Sequence, residues 1–371
     1  MSIRPVSLDI YRSAIPMRSF EHAAARREES EAVVVRASFS DGSEGWGETL
    51  PRPYVTGETI ETVIRDLEAI VWPTVAGREV STRGPGDYPL ADPAGRRITA
   101  AACAMDLAMS GIWSGGAGLR TRIDARVSGV LGSSDPARTL RRLRLMRLFG
   151  LRDFKLKLGM GQDVDDENLR LVHRHLSRGI AAGKCTLRVD INGGWDAAST
   201  PQRVERLIQF GVGVVEQPAF CGAGELVELA RRCPLPLMAD ESLVTQQDAR
   251  SLLEEPSIWW NIRLSKNGGL GPCMRLAAMA REAGVKVVAG CMVGESSILS
   301  AAQRRLLQRI DAPRFVEGNY GRFLLRDDLV HRALRFGYGG RLRCLKGDGL
   351  GIRIDVRKLM RYAQLIRTLR E

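Results

Sequence analysis

The chain has 371 residues, 44% apolar and 26% charged, an ordinary globular composition that excludes disordered, collagen-like and fibrous classes. No apolar run reaches the roughly 18 residues of a membrane helix, and the opening stretch, Met1 to Ile10, lacks the unbroken apolar segment of a secretion signal, so a cytoplasmic protein is expected. Lys and Arg (55) exceed Asp and Glu (43) by a formal charge of +12, but only 6% of residues are aromatic and able to stack on bases, so nucleic acid is not the expected partner.

Taken in chain order, residues 1–118 form one unit. Ala32 to Phe39 has the apolar content of a strand, and Asp41-Gly42 marks a hairpin into the stretch ending at Gly47-Glu48. Thr59 to Leu67 then has helical periodicity, which gives a small α+β domain. From 119 to 325 short apolar runs alternate with longer amphipathic stretches. The runs are 125–131, 154–158, 187–191, 212–215, 235–239, 258–264, 286–289 and 314–316. Such alternation predicts an α/β fold, a modified (β/α)8 TIM-type barrel, with an open doubly wound sheet as the structural alternative. In the first connecting helix, Leu140, Leu143, Met146 and Leu148 read as a core face ringed by arginines. Residues 326–371 are expected to return to the N-terminal cap.

Neither a disulfide framework nor a zinc site built on histidine is expected. The seven cysteines are scattered without a Cys-x-x-Cys pair, and of the four histidines His173 and His175 are two apart in a helical stretch and point to different faces. The informative residues are Lys157, Asp190, Glu216, Asp240 and Lys266. Each is expected at the C-terminal end of a strand, and they stand roughly 24 to 33 residues apart, about one strand–helix unit of a barrel. That end of a barrel carries its active site.

Three carboxylates ending neighbouring buried strands repel each other unless a cation joins them. With no imidazole or thiolate beside them, they select a hard, oxygen-seeking ion, Mg²⁺ first and Mn²⁺ second. Lys155 lies on the same strand face as Lys157 and is expected to lower its pKa by like charge, readying it as a base. The reaction these residues fit is removal of a proton from a carbon beside a carboxylate, with the metal stabilising the enolate formed. Two competitors remain from the residues alone. A lysine could form a Schiff base, which needs no metal, or the basic surface could make the barrel a polyanion binder.

At Lys155-Leu156-Lys157, Asp190-Ile191-Asn192, Glu216-Gln217-Pro218, Asp240-Glu241-Ser242 and Lys266-Asn267-Gly268-Gly269, the chain resembles the enolase superfamily, in its muconate-lactonizing-enzyme subgroup. The resemblance spans nearly all of the chain. It implies that Asp190, Glu216 and Asp240 bind Mg²⁺, that Lys157 and Lys266 are an acid/base pair on opposite faces of a small carboxylate substrate, and that the protein is a homo-oligomer. It implies racemisation or epimerisation of a dipeptide or amino-acid derivative through an enediolate. The alternative is a cycloisomerase or an o-succinylbenzoate-synthase-like lyase. Lys155 and Asn192 are expected near the substrate. Segments 53–59 and 290–296 are similar to dipeptide epimerases, which adds Met292 and Glu295. Glu317 and Asn319 stand where that family holds the substrate ammonium with an Asp-x-Asp, and Phe20 and His22 fall in the expected capping loop.

Overall fold

The computed structural model describes residues 3–22, 25–82, 84–113 and 119–371, with only the backbone described for 19–22 and 25–27. The expected boundary at 118 lies among residues outside that description. The N-terminal sheet is antiparallel, in the order β12-β1-β2-β3, from β1 (Pro5–His22), β2 (Ala25–Phe39), β3 (Glu44–Thr49) and β12 (Ala363–Arg370). Gly42, at φ 82°, makes the turn into β3, and the Ser43 hydroxyl donates to Asp41 at 2.6 Å. The C-terminal tail returns to this sheet, with Ser7 opposite Arg370 and Ser13 opposite Ala363.

The expected capping loop is instead a ribbon. Past a register shift between Pro16 and Phe20, β1 and β2 continue to pair, with Glu21 opposite Arg26 and His22 opposite Ala25. This polar ribbon has no alternating apolar face to announce a strand, whereas backbone pairing needs none. The side chains of Phe20 and His22 lie outside the described residues.

A fully buried helix, Thr99–Met109, supports the sheet. Its alanines meet β3 at glycines: a Cβ built on Gly47 would stand 1.9 Å from the Ala104 carbonyl oxygen, and one on Gly45 1.8 Å from that of Ala108. Only glycine permits that approach. Helix Ile60–Asp66 begins at Thr59, whose hydroxyl accepts from the Thr62 amide at 3.2 Å, while Thr62 returns the bond to the Thr59 amide at 2.9 Å.

The second sheet is parallel and ordered along the chain: β4 (Gly129–Leu131), β5 (Asp153–Lys157), β6 (Thr186–Asp190), β7 (Val212–Glu216), β8 (Leu237–Ala239), β9 (Trp259–Ile262), β10 (Val287–Ala289) and β11 (Phe315–Val316). A parallel bridge from Val127 to Val316, with the Ser128 amide donating to the Val316 carbonyl at 2.8 Å, closes the ring. Helices follow the first seven strands. After β11 the described chain forms two 3-10 turns, Gly321–Phe323 and Tyr338–Gly340, the second of which accepts from the Val127 amide at the Gly340 carbonyl at 2.9 Å, and its one α-helix, Val356–Tyr362, leads into β12 of the N-terminal sheet. The eighth unit is therefore a strand without its helix, and the seam between β11 and β4 is covered by irregular chain.

The first connecting helix, Pro136–Leu148, corrects one expectation. Leu143 is buried and Leu140 and Met146 are half-buried, but Leu148 is 78% exposed, and Leu145 is 60% exposed as well. The helix packs on a narrow stripe, so apolar residues outside that stripe remain at the surface.

Candidate active site

The barrel strands are buried on both faces, so they read as apolar runs, and a charged residue inside one needs a partner. Register sets the heights: Lys157 pairs with Asp190, and Asp190 with Glu216. Asp240 follows β8 directly. Lys266 does not end a strand as expected. It lies four residues past β9, in the one-turn helix Leu264–Asn267. That turn closes through Gly268 and Gly269, both left-handed at φ 94° and 108°, and is pinned by Asn267, whose amide donates to the Leu243 and Val244 carbonyls at 3.0 and 2.9 Å. The turn thereby carries Lys266 back against Asp240.

The three carboxylates converge on shared cations. The Lys155 ammonium lies 3.2 Å from Asp190, 3.1 Å from Glu216 and 2.9 Å from Glu317. Arg263 donates to Glu216 at 3.2 Å and, through the same nitrogen, to Asp240. Lys157 stands at one end of the row, 3.2 Å from Asp190 and 3.0 Å from the Asn192 side-chain oxygen. Lys266 stands at the other, donating to the Asp240 carboxylate at 3.0 Å, to the Asp240 carbonyl at 2.6 Å and to the Asn261 carbonyl at 2.7 Å. Asp190, Glu216, Asp240 and Lys266 are fully buried, and Lys157 is 6% exposed.

Burial, and then the neighbouring Asp190, raise the Glu216 carboxyl to about 7. Burial and Asp240 raise Glu241 to about 8. Burial also raises Asp190, but Lys157 and Lys155 outweigh it and hold that carboxyl below its ordinary value. Burial lowers the Lys266 ammonium against the opposing pull of Asp240. Burial would lower Lys155 too, but Glu216, Glu317 and Asp190 together hold it well above its ordinary value. Lys155 also ties three carboxylates, Asp190, Glu216 and Glu317, together on the barrel floor.

The donor set suits a hard dication. It is all oxygen, and two buried carboxylate oxygens, Asp190 Oδ2 and Glu241 Oε2, have no hydrogen-bond donor. Asp190 Oδ2 is within ion-pair distance of both lysines but off their donor directions. Among the described residues no three acidic, imidazole or thiol groups surround one point as ligands do, because Arg263 bridges Glu216 and Asp240.

Gln217 and Arg188, given no role by the sequence, and Asn192, expected near the substrate, organise the site. Gln217, at φ 36°, accepts from the amides of Asp240 and Ser242 at 3.0 and 3.1 Å and donates to the Ser242 hydroxyl at 2.7 Å, fastening the loops after β7 and β8. Asn192, at φ 49°, turns the chain just beyond Asp190. Arg188 lies beneath the floor, 2.6 Å from Glu317 and over the Phe315 ring at 4.4 Å. The side chain of Asn319 bonds Arg304 and Gln303 at 2.7 and 2.6 Å. Glu317 and Asn319 thus spend their polar atoms within the protein. Met292 accepts a bond from Arg263 at its sulfur, and its amide donates to Glu295 at 2.7 Å. A cavity of about 510 Å³ is lined by Lys155, Lys157, Arg263, Met292, Glu295, Glu317 and Asn319 at the site, and Lys266 is not among its lining residues.

A barrel with acids on successive strand ends and a lysine at either end of the row is the arrangement expected of enolase-superfamily sites. Residues 138–358 match the family model described as enolase C-terminal domain-like. The chain is 31% identical over 350 residues to the L-Lys-D/L-Arg epimerase of Methylococcus capsulatus, covering 90% of this chain and 94% of that one. It is 27% identical over 340 residues to muconate cycloisomerase 1 of Rhodococcus opacus, covering 87% and 88%. The crystal structure of N-succinyl Arg/Lys racemase from Bacillus cereus shares the fold over the whole of both chains, at a TM-score of 0.84 and 23% identity. The chain belongs to the enolase superfamily. Within it, this protein is an isomerase, similar to epimerases, racemases and muconate cycloisomerases.

Proposed function

We propose that this protein racemises or epimerises a dipeptide or an N-substituted amino acid by moving the α-proton beside a carboxylate, with Mg²⁺ as cofactor. The carrying observation is the position of Lys157 and Lys266 at opposite ends of the Asp190–Glu216–Asp240 row. Asp190, Glu216 and Asp240 would hold the ion, and Mn²⁺ has the same ligand preference. Bound there, the ion neutralises charge that develops on the substrate carboxylate as its α-proton leaves.

The chain's own residues do the rest. Lys157 lines the cavity and takes or returns the proton on one face, while Asn192 orients its ammonium. Lys266 serves the other face. Burial lowers its ammonium toward the range in which an amine works as a base. Lys155 and Arg263 pair with the carboxylate row and hold it aligned.

The second reading is cycloisomerase or elimination chemistry with Lys157 as single base. It is favoured by the three acceptors that already occupy the Lys266 ammonium, and by that residue's burial. Solvent-deuterium exchange at the α-carbon of dipeptides and N-acyl amino acids, followed by mass spectrometry in Mg²⁺, separates the two. Epimerisation predicts that Lys157→Ala and Lys266→Ala each abolish exchange from one stereoisomer. A single-base enzyme loses exchange only with Lys157→Ala. Exchange untouched by either substitution overturns both readings.

A further inference from the structure

The site cavity does not stop at the lysines. It continues along the seam between β11 and β4, where the eighth helix is missing, and is lined there by Leu145, Met146, Phe149, Phe323 and Phe336. Phe149 packs edge-on against Phe323 and Phe336, with ring centroids 5.4 and 5.8 Å away. Leu145 and Phe323 remain 60% and 38% exposed, a cost in contact with water that an occupant would remove.

Lys155, Lys157 and Arg263 are paired with the buried acids, and cations outnumber acids along the cavity. Arg18, Arg142, Lys155, Lys157 and Arg263 line it, against Glu295 and Glu317. Glu317 is taken by Arg188 and Lys155, and Glu295 accepts from the Met292 amide. A cationic side chain entering the seam would meet Arg142 and an aromatic wall of Phe149, Phe323 and Phe336, and of the two carboxylates lining the cavity Glu317 is already ion-paired, while Glu295 bonds the Met292 amide.

We infer that the substrate's distal substituent is uncharged and apolar, of aromatic or branched aliphatic size, and seats against Leu145, Phe149 and Phe323. This rests on the proposed reaction and names the substrate class within it. The cationic amino acids for which its Methylococcus relative is named are disfavoured here.

Titration calorimetry of the Mg²⁺-supplemented protein with L-Ala-L-Phe and L-Ala-L-Lys tests it. The phenylalanine dipeptide is expected to bind about tenfold more tightly or better, the discrimination a shaped apolar pocket gives. Leu145→Glu, at an exposed position that folding tolerates, is expected to erase or reverse that order, and Phe323→Ala to weaken only the phenylalanine dipeptide. Equal or tighter binding of the lysine dipeptide, binding of neither, or an order unchanged in Leu145→Glu overturns the inference. Deuterium exchange on the bound peptides judges the reaction separately. Tight apolar binding without exchange sinks the reaction and leaves the seam assignment standing. Exchange confined to the lysine dipeptide does the reverse.

Discussion

Glu317 occupies a position that could pass for a substrate clamp, yet its oxygens are committed below the substrate, to Arg188 at 2.6 Å and Lys155 at 2.9 Å. Lys155 and Arg188, then Arg263, overcome the effect of burial and hold its carboxyl down at about 2. Removing one member of such a buried group leaves its partner's charge uncompensated, at a cost of about 3 to 5 kcal/mol. Glu317→Gln is therefore expected to lower the unfolding free energy by an amount in that range, read as a lower midpoint of chemical denaturation at unchanged slope. A clamp for substrate ammonium would instead raise KM and leave the midpoint unmoved. Sequence reading reached the acids because each ends an apolar run abruptly. It gave no role to Arg188, Arg263 and Gln217, since an arginine inside a strand or a glutamine after one carries no local mark of the partner it meets across the barrel.

At the scale of elements, the contact between β3 and helix Thr99–Met109 is the tightest backbone approach in the cap described above. Gly47→Ala would set a methyl 1.9 Å from the Ala104 carbonyl oxygen, so strand and helix must separate. Overpacking of this kind costs about 1 to 3 kcal/mol or more, and the variant is expected to melt several degrees lower in calorimetry, whereas Gly42→Ala, with nothing within 4 Å but a φ of 82°, suffers only local backbone strain. The hairpin at Asp41-Gly42 was legible because a turn is specified by residues within it. The purpose of Gly45 and Gly47 was not, because the helix they admit lies some fifty residues away. The eight strands were legible as apolar runs, whereas the missing eighth helix shows only as the lack of an amphipathic stretch after β11.

Across the whole molecule, buried acids outside the site cap helices in other parts of the chain. Glu48 accepts from the Ser296 and Leu299 amides, Glu58 from the Ala100 amide, and Asp106 from the Leu270 amide. Burial is the largest influence on each and raises all three to about 7, from ordinary values of 4.5, 4.5 and 3.8. Folding therefore takes up protons. Stability from these groups is fully present below about pH 4 and is lost as pH rises to about 7. The lowered carboxyls of Asp190 and Glu317 act in the opposite sense at the acid end. The metal-free protein is expected to melt highest near pH 5 and several degrees lower at pH 8, with Glu48→Gln flattening that slope. A melting temperature that rises steadily from pH 5 to pH 8 would contradict it. The pairing of β1 with β12 bears on biogenesis. During translation the opening strand must wait, its outer edge bare, until residues 363–370 leave the ribosome. The N-terminal sheet is therefore complete only after the barrel strands have been made, and a stalled or clipped nascent chain would present that edge to chaperones or to other chains.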